Sequence, residues 1–507
     1  MDLLSLMAQG FFPKELPPPF TTRPLSEYLS VVGDFEPEPT PGRPLLVTTP
    51  TVHNLARPGG LRRRLHIPNP FSYYKLCRAI ESGSTRLDKH FTQSNFSMSV
   101  PIEDAFGLRA LIPQVDGGEL SIQRAKSRSA SRFLLRTDIS RFYSSIYTHS
   151  IPWALDGKSA AKKTRVGGLG NNLDAGFRNL QDGQTLGIPI GPDASFVAAE
   201  VIACAIDKQL SQKGLAGMRF MDDYEMGFES RSAAEEGLAR LEETLAEFEL
   251  AINPLKTHID QLPVELDRPW RAEIKSYGFD PEVQITSTEL VGYFNRVFQL
   301  KSDYPSDAVL AYAVARLRFV DVADWELLQN LICQCALAEP GALEPVVSIL
   351  QQNSERDLTD AIDGLISSTI SYHAPLAHGS EVAWALWAAV WFRRDIPSSA
   401  AAKLVSNRDP AVAILALHAR ELGLIKRNVS FQAWGDDINS ESLYGQQWLI
   451  AYEADFRGWL PSSSRAKYVE NDPNFSGLKQ AGVSFYDPDI TEPTRSLLIA
   501  KMSDIYP

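Results

Sequence analysis

Three carboxylates stand out by type and spacing. Asp138 ends the apolar run of LLRTDISRFYSSIY, and Asp222 and Asp223 are adjacent in FMDDYEMGF between two short apolar stretches. The apolar run Phe133–Leu135 into Asp138 reads as a strand, and so does Met218–Met221. An Asp-Asp pair between strands reads as a hairpin tip, with the two side chains facing opposite ways and playing unequal parts. Carboxylates gathered from separate strands suit nucleotidyl transfer. That reaction builds charge on the attacking and leaving oxygens, and two divalent ions roughly 4 Å apart can clamp both. Mg2+ takes few protein oxygens and leaves the rest to water and phosphate, so two or three carboxylates suffice. Alone, a DD pair is equally a solvated turn; the two segments together are more specific.

The elements that must carry these residues span most of a 507-residue chain, long enough for two or three domains. Residues 1–60 are proline-rich, with Pro17, Pro18 and Pro19 consecutive, and read as an extended segment wrapped over the body or loosely ordered. Residues 61–307 mix short strands with amphipathic helices, including one over 231–250. From 308 to 507 strand signals fade and helices follow one another: 324–338, 343–352, 358–372, 381–392, 398–405 and 410–422. Short helices in series suggest repeats of the HEAT kind. Trp384, Trp387 and Trp391 share a helical face and read as core. Tyr444, Trp448 and Tyr452 allow two readings, core packing or a stacking path for single-stranded DNA.

Net charge is −12, against a general nucleic-acid coat, yet residues 1–136 carry a basic excess suited to a local phosphate-binding surface. The trio Arg62, Arg63 and Arg64 precedes an apolar strand, so its members cannot all face one way; Arg64 is the favoured triphosphate contact. Four scattered cysteines (Cys77, Cys204, Cys333, Cys335) fit a reducing cytoplasm. No signal peptide is expected. The longest apolar run, Val382–Phe392, is too short to span a bilayer, so no membrane association is expected either.

In order and spacing the chain resembles the reverse transcriptases. TDISRFY is similar to their motif A, GIPIGPDAS to motif B, RFMDDY to motif C, INPLKT to motif D and LVGYF (Leu290–Phe294) to motif E at the base of a thumb. The resemblance implies an α+β right-hand polymerase, fingers and palm of reverse-transcriptase type, followed here by an all-α HEAT-like helical-repeat domain. It implies catalytic Asp138, Asp222, Asp223 and Lys256, the lysine neutralising or protonating pyrophosphate. Two Mg2+, replaceable by Mn2+, would be held by Asp138, Ile139, Asp222 and Asp223. Nucleotide contacts would come from Arg64, Phe142, Tyr143, Gly187, Pro189, Gly191 and Ser195. In this scheme the glycines let the backbone approach base and sugar, and Tyr143 lies under the sugar as a gate against the 2′-hydroxyl. Phe142 packs in the core, unless the two aromatics exchange roles. Ile190 stands where many templated enzymes have glutamine, which puts ordinary template-directed fidelity in doubt.

A narrower resemblance follows from IYTHSIPWALDGKSAAKK and RRRLHIPNPFSYYKL, which are similar to segments of the abortive-infection (AbiK-like) reverse transcriptases of bacterial antiphage defence. It implies cytoplasmic, untemplated synthesis from dNTPs, primed by a protein hydroxyl and leaving single-stranded DNA attached to a homo-oligomer. The priming tyrosine is unknown. His149, Trp153, Asp156 and Lys158 are either a nucleic-acid or oligomer contact or a buried structural insertion. The competing readings are a conventional RNA-templated enzyme of a retroelement and a catalytically idle polymerase-fold scaffold.

Overall fold

The computed structural model describes residues 1–164, 166–279, 283–460 and 467–490. Eight strands appear among them: β1 Thr51–Ala56, β2 Arg62–Ile67, β3 Pro101–Glu103, β4 Leu111–Pro113, β5 Phe133–Asp138, β6 Met218–Phe220, β7 Asp223–Phe228 and β8 His258–Gln261. β1–β2 and β3–β4 are separate antiparallel pairs, and the other four form an antiparallel sheet ordered β6-β7-β5-β8. β5 is one of the two inner strands, paired with β7 and β8, and its Leu134 and Leu135 are fully buried. The sheet is covered by the helix Asp193–Gln212, apolar nearly all round, and by Arg231–Glu247, which starts on a Ser230 cap and buries Ala234, Leu241 and Leu245 at helical spacing.

From Val309 onward every named element among the described residues is helical. Trp325–Ala338, Leu343–Gln352, Asp360–His373, Gly379–Phe392 and Pro410–Glu421 follow the expected windows closely, while 398–405 splits into an α-turn and a 3-10 stretch. Trp384 and Trp387 are buried. Tyr444, Trp448 and Tyr452 are buried too, and hydrogen-bond to Asp472, the Ile67 carbonyl and the Val483 carbonyl. Their stacking-path reading is therefore corrected: bases cannot reach these rings, because Phe11 and the Ile67 backbone on one side and residues 472–485 on the other cover them. Leu290–Phe294 lies inside the helix Ser287–Asp303, opened by a Thr286–Glu289 capping box, and its aromatics pack into the core. No helix among the described residues is long and apolar enough to cross a membrane.

The proline-rich start is wrapped, not loose. It contains the helices Leu3–Ala8 and Arg23–Val32, and between them Phe11, Phe12 and Phe20 are fully buried. Phe11 stacks on Tyr73 (4.5 Å between centroids) and lies parallel to Trp448 at 6.5 Å. The Glu15 carbonyl accepts from Trp384 Nε1 (3.1 Å), and Phe20 pairs with Tyr486. The segment thus joins the strand-bearing half to the helical half.

Candidate active site

β5 and β7 pair so that Asp138 lies directly opposite Asp223. β6 and β7 close through a two-residue loop, Met221-Asp222, in which Met221 adopts φ 56°. A methionine is strained in the left-handed region, and the surroundings hold it there. The Met221 amide donates to Ser99 Oγ (2.8 Å), and its carbonyl accepts from Arg219 Nη1 (2.8 Å). The Ile139 amide donates to the Asp222 carbonyl (3.1 Å), tying the end of β5 to the hairpin loop. On the other side, the Asn253 amide donates to the Asp138 carbonyl (2.8 Å), and the hydroxyls of Thr257 and Thr137 meet at 2.7 Å. Asp138, Asp222, Asp223 and Lys256 are thereby brought to one end of the sheet.

Their electrostatics are those of a carboxylate cluster short of cations. Asp138 is 5% exposed; its Oδ2 accepts from Lys256 Nζ, and its buried Oδ1 has no partner. Asp222 is half-buried, and its carboxyl is raised first by loss of water and then by Asp138, against the pull of Lys256 and Arg63. Asp223 sits at the rim and is pushed up to about 6, by shielding at the hairpin tip and then by the Asp222 charge. Lys256 is raised, because Asp138, Asp223 and Asp222 outweigh its partial burial. An orphaned buried carboxylate oxygen beside two hard-to-ionise carboxyls is a donor set that fits divalent ions of the Mg2+ kind. Asp138, Asp222 and Asp223 would hold them. The expected pyrophosphate role of Lys256 requires its ammonium to leave Asp138.

Phe142 is buried, and the half-buried Tyr143 meets it edge-to-face at 5.8 Å. The Tyr143 hydroxyl is raised by burial and then by Asp222 and Glu200. The Tyr143 carbonyl accepts from the Ile188 amide (2.9 Å), which fixes the Gly187–Gly191 loop against it. The need for glycine in this loop comes from the protein itself. Gly187 has φ 82°, and a Cβ there would meet the Ser144 carbonyl at 3.2 Å; Gly191 has φ 126°, and its Cβ would meet Pro13 Cγ at 2.7 Å. Pro189 is buried, and Ser195 is buried with an unpartnered hydroxyl in the first turn of its helix.

The arginine trio divides differently from expectation. Arg62 pairs with Glu381 in the helical half. Arg63 is the member whose charge bears on Asp222 and Tyr143, whereas Arg64 bears on His66. Alternation along β2 puts Arg63 and Arg64 on opposite faces, and both are exposed. His149, Trp153, Asp156 and Lys158 are all engaged internally: His149 with Asp174 (2.8 Å), Asp156 with Arg86, and Lys158 with the Trp153 ring (4.2 Å) and the Glu247 carbonyl (2.7 Å).

Beneath the hairpin lies a group that sequence reasoning missed. Arg219 is 0% exposed, and its guanidinium donates to Glu200 Oε1 (2.8 Å), Asp207 Oδ2 (2.8 Å) and the Met221 carbonyl. Tyr224 Oη donates to Asp207 Oδ1 (2.8 Å). A signal was present: Glu200 and Asp207 bracket a wholly apolar stretch of helix, and a lone arginine lies in a short apolar strand, so the three need one another.

No protein-family model and no curated protein sequence matches the chain. Among solved structures, the apo telomerase from Candida Tropicalis is similar over 79% of this chain and 72% of that one, at 10% identity and a TM-score of 0.32. A superposition that loose carries no argument about this site.

Proposed function

We propose that the protein is a nucleotidyltransferase of reverse-transcriptase type, joining deoxynucleotides at Asp138, Asp222 and Asp223. The observation that carries this reading is the convergence of the three carboxylates at the end of β5 and β7, with Asp138 Oδ1 buried and unpartnered. Two bound Mg2+ ions, or Mn2+ in their place, would supply Lewis acidity to the attacking and leaving oxygens. The chain's own residues do the rest. Asp222 and Asp223 offer carboxylates to the cations, Lys256 moves its charge from Asp138 toward the leaving pyrophosphate, and Arg63 meets the triphosphate. The Tyr143 ring closes the sugar side of the site, where it would clash with a 2′-hydroxyl.

The finer reading is synthesis without a template, primed from a protein hydroxyl and leaving single-stranded DNA attached to a homo-oligomer in abortive-infection defence. It is supported by the sequence resemblance and by Ile190. The Ile190 backbone is engaged by His66, its carbonyl accepting from the His66 amide (2.8 Å), and it offers no polar side chain toward a base pair. The test is incorporation of labelled dNTPs with no added nucleic acid, resolved on a denaturing protein gel. Label migrating with the chain and released by nuclease is expected. Incorporation only on an added primer–template would overturn the untemplated reading, and none under either condition would overturn the polymerase reading.

A further inference from the structure

A second cluster of ligand-type side chains lies far along the chain from the aspartates. The helix Asp360–His373 ends on His373, and Gly379–Phe392 begins just after His378, with Glu381 in its first turn. The connection folds back at Ala377 (φ 54°), and the His378 amide donates to the His373 carbonyl (3.2 Å). This places His373 Nδ1 2.8 Å from His378 Nδ1, and each of them 3.6 Å from Glu381 Oε1. The two imidazole side chains are 14% and 24% exposed and the carboxylate 1%, so the three atoms form a cluster that is closed on the carboxylate side and partly open on the imidazole side.

We propose that His373, His378 and Glu381 bind one late first-row divalent cation, of the Zn2+ class, at the joint between the helical half and the β1–β2 pair. The distances carry the argument. A triangle with sides 2.8, 3.6 and 3.6 Å has a circumradius of about 2.0 Å, so one ion can sit at Zn–N and Zn–O bonding distance from all three atoms. The donors are two imidazoles and one carboxylate, a set that favours Zn2+ over Mg2+. Three protein ligands with an open side leave a fourth position for water.

The surroundings hold the donors in place. Asn54 Nδ2 donates to the Ala377 carbonyl (3.1 Å), and the Ala56 amide donates to Ser380 Oγ (3.0 Å), so β1 grips the turn. Glu381 Oε2 accepts from Ser380 Oγ (2.7 Å) and Arg62 Nη2 (2.9 Å), which orients the carboxylate with Oε1 toward the imidazoles. Burial lowers the proton affinity of both histidines, and Arg62 adds to it, so neutral imidazoles stand ready as ligands. Arg62 also donates to Oε1, and its charge opposes the cation; this favours a nitrogen-seeking ion over a purely electrostatic one. The alternative is a hydrogen bond between the two imidazoles, with Arg62 as the only cation beside Glu381.

The test uses the full chain, freed of metal by chelation and held in excess Mg2+ so that oxygen-only sites are filled. Co2+ is titrated and its visible ligand-field band recorded, then Zn2+ is added. One equivalent of Co2+ with a four-coordinate band, displaced by one equivalent of Zn2+, is expected. His373→Gln and His378→Gln should each lose the band, and Asp222→Asn should keep it. No band in the native chain, an unchanged band in both histidine variants, or loss of the band in Asp222→Asn would each overturn the proposal. Should the histidine variants fail to fold, X-ray absorption of the Zn2+-loaded native chain decides. Two imidazole nitrogens in the metal shell uphold the site, and a shell without them overturns it. None of these readouts depends on polymerase activity, so the result stands apart from the function proposed above.

Discussion

Replacing Arg219 by alanine tests how the hairpin under Asp222 is held. The native guanidinium lies between Glu200 and Asp207, all three essentially without solvent. In Arg219→Ala the carboxylates keep neutral donors, Ser97 Oγ to Glu200 (2.5 Å), and Ser94 Oγ (2.6 Å) and Tyr224 Oη to Asp207, but they lose their cation. Breaking a buried pair from one side costs about 3–5 kcal/mol, because a charge is left buried and uncompensated. That is a large part of the roughly 5–15 kcal/mol that holds a typical domain together. The variant also frees the Met221 carbonyl, so the loop presenting Asp222 loses an anchor. Urea unfolding of native and variant chains, followed by tryptophan emission, measures the loss. Combining Arg219→Met with Glu200→Gln and Asp207→Asn removes the charges together and should recover most of the stability. A loss under about 1 kcal/mol in Arg219→Ala, the range of ordinary substitutions, would refute this account. So would a triple variant no more stable than the single one. Acid should have a related effect. Burial alone would raise Glu200, but Arg219 holds it below its ordinary value, so its contribution is present above the unfolded carboxyl range and disappears as pH falls through the folded value.

Four further outcomes are expected. Asp222→Asn keeps the fold, measured by circular dichroism, and reduces dNTP incorporation by at least about a thousandfold, since an amide preserves shape but not the metal-binding charge; near-native turnover would remove Asp222 from the site. Arg63→Ala raises the dNTP KM about tenfold while Arg64→Ala leaves it within about twofold, as one lost charge–phosphate contact implies; the opposite order would return the role to Arg64. Tyr143→Ala raises ribonucleotide use relative to deoxynucleotide use, and an unchanged ratio with activity retained would move the gate elsewhere. Asp223, raised to about 6, must lose a proton to bind a cation, so Mg2+ affinity measured by calorimetry should climb as pH rises through about 6 and level off above it. In the same window the metal-free chain becomes less stable as pH rises, because its folded state is the one that prefers the proton. In Asp223→Asn the rise in affinity should be flattened.

How much of this was legible depends on the range over which each feature is determined. The strand into Asp138 and the hairpin at Asp222-Asp223 are local, set by a short apolar run and by a turn pair, and both appear in place. So do most of the later helices, whose periods run for several turns. Features decided by distant partners were not legible. Whether Arg63 or Arg64 faces the carboxylates depends on strand register, which a run of identical residues does not reveal. Arg219 could be recognised as buried only by pairing it with acids 12 and 19 residues away. The stripe Tyr444, Trp448, Tyr452 has the same spacing whether it stacks bases or fills a core, and what buries it is distant in sequence on both sides, Phe11 and Ile67 before it and Asp472 and Val483 after it. The prolines near the start forbid helix only locally and say nothing about the aromatic packing between them.

That packing couples the loop beside Tyr143 to a part of the chain far away in sequence. Pro13 abuts Gly191, and the Gly10 carbonyl accepts from Tyr73 Oη and from the Asp193 amide. Phe12 and Phe20, in the same segment, rest on Phe485 and Tyr486. Contacts between segments so distant in sequence are slow to close, because a long stretch of chain must be ordered before they reward it. The loop beside Tyr143 therefore shares its support with the helical half, and whatever loosens Phe485 or Tyr486 would loosen that loop as well.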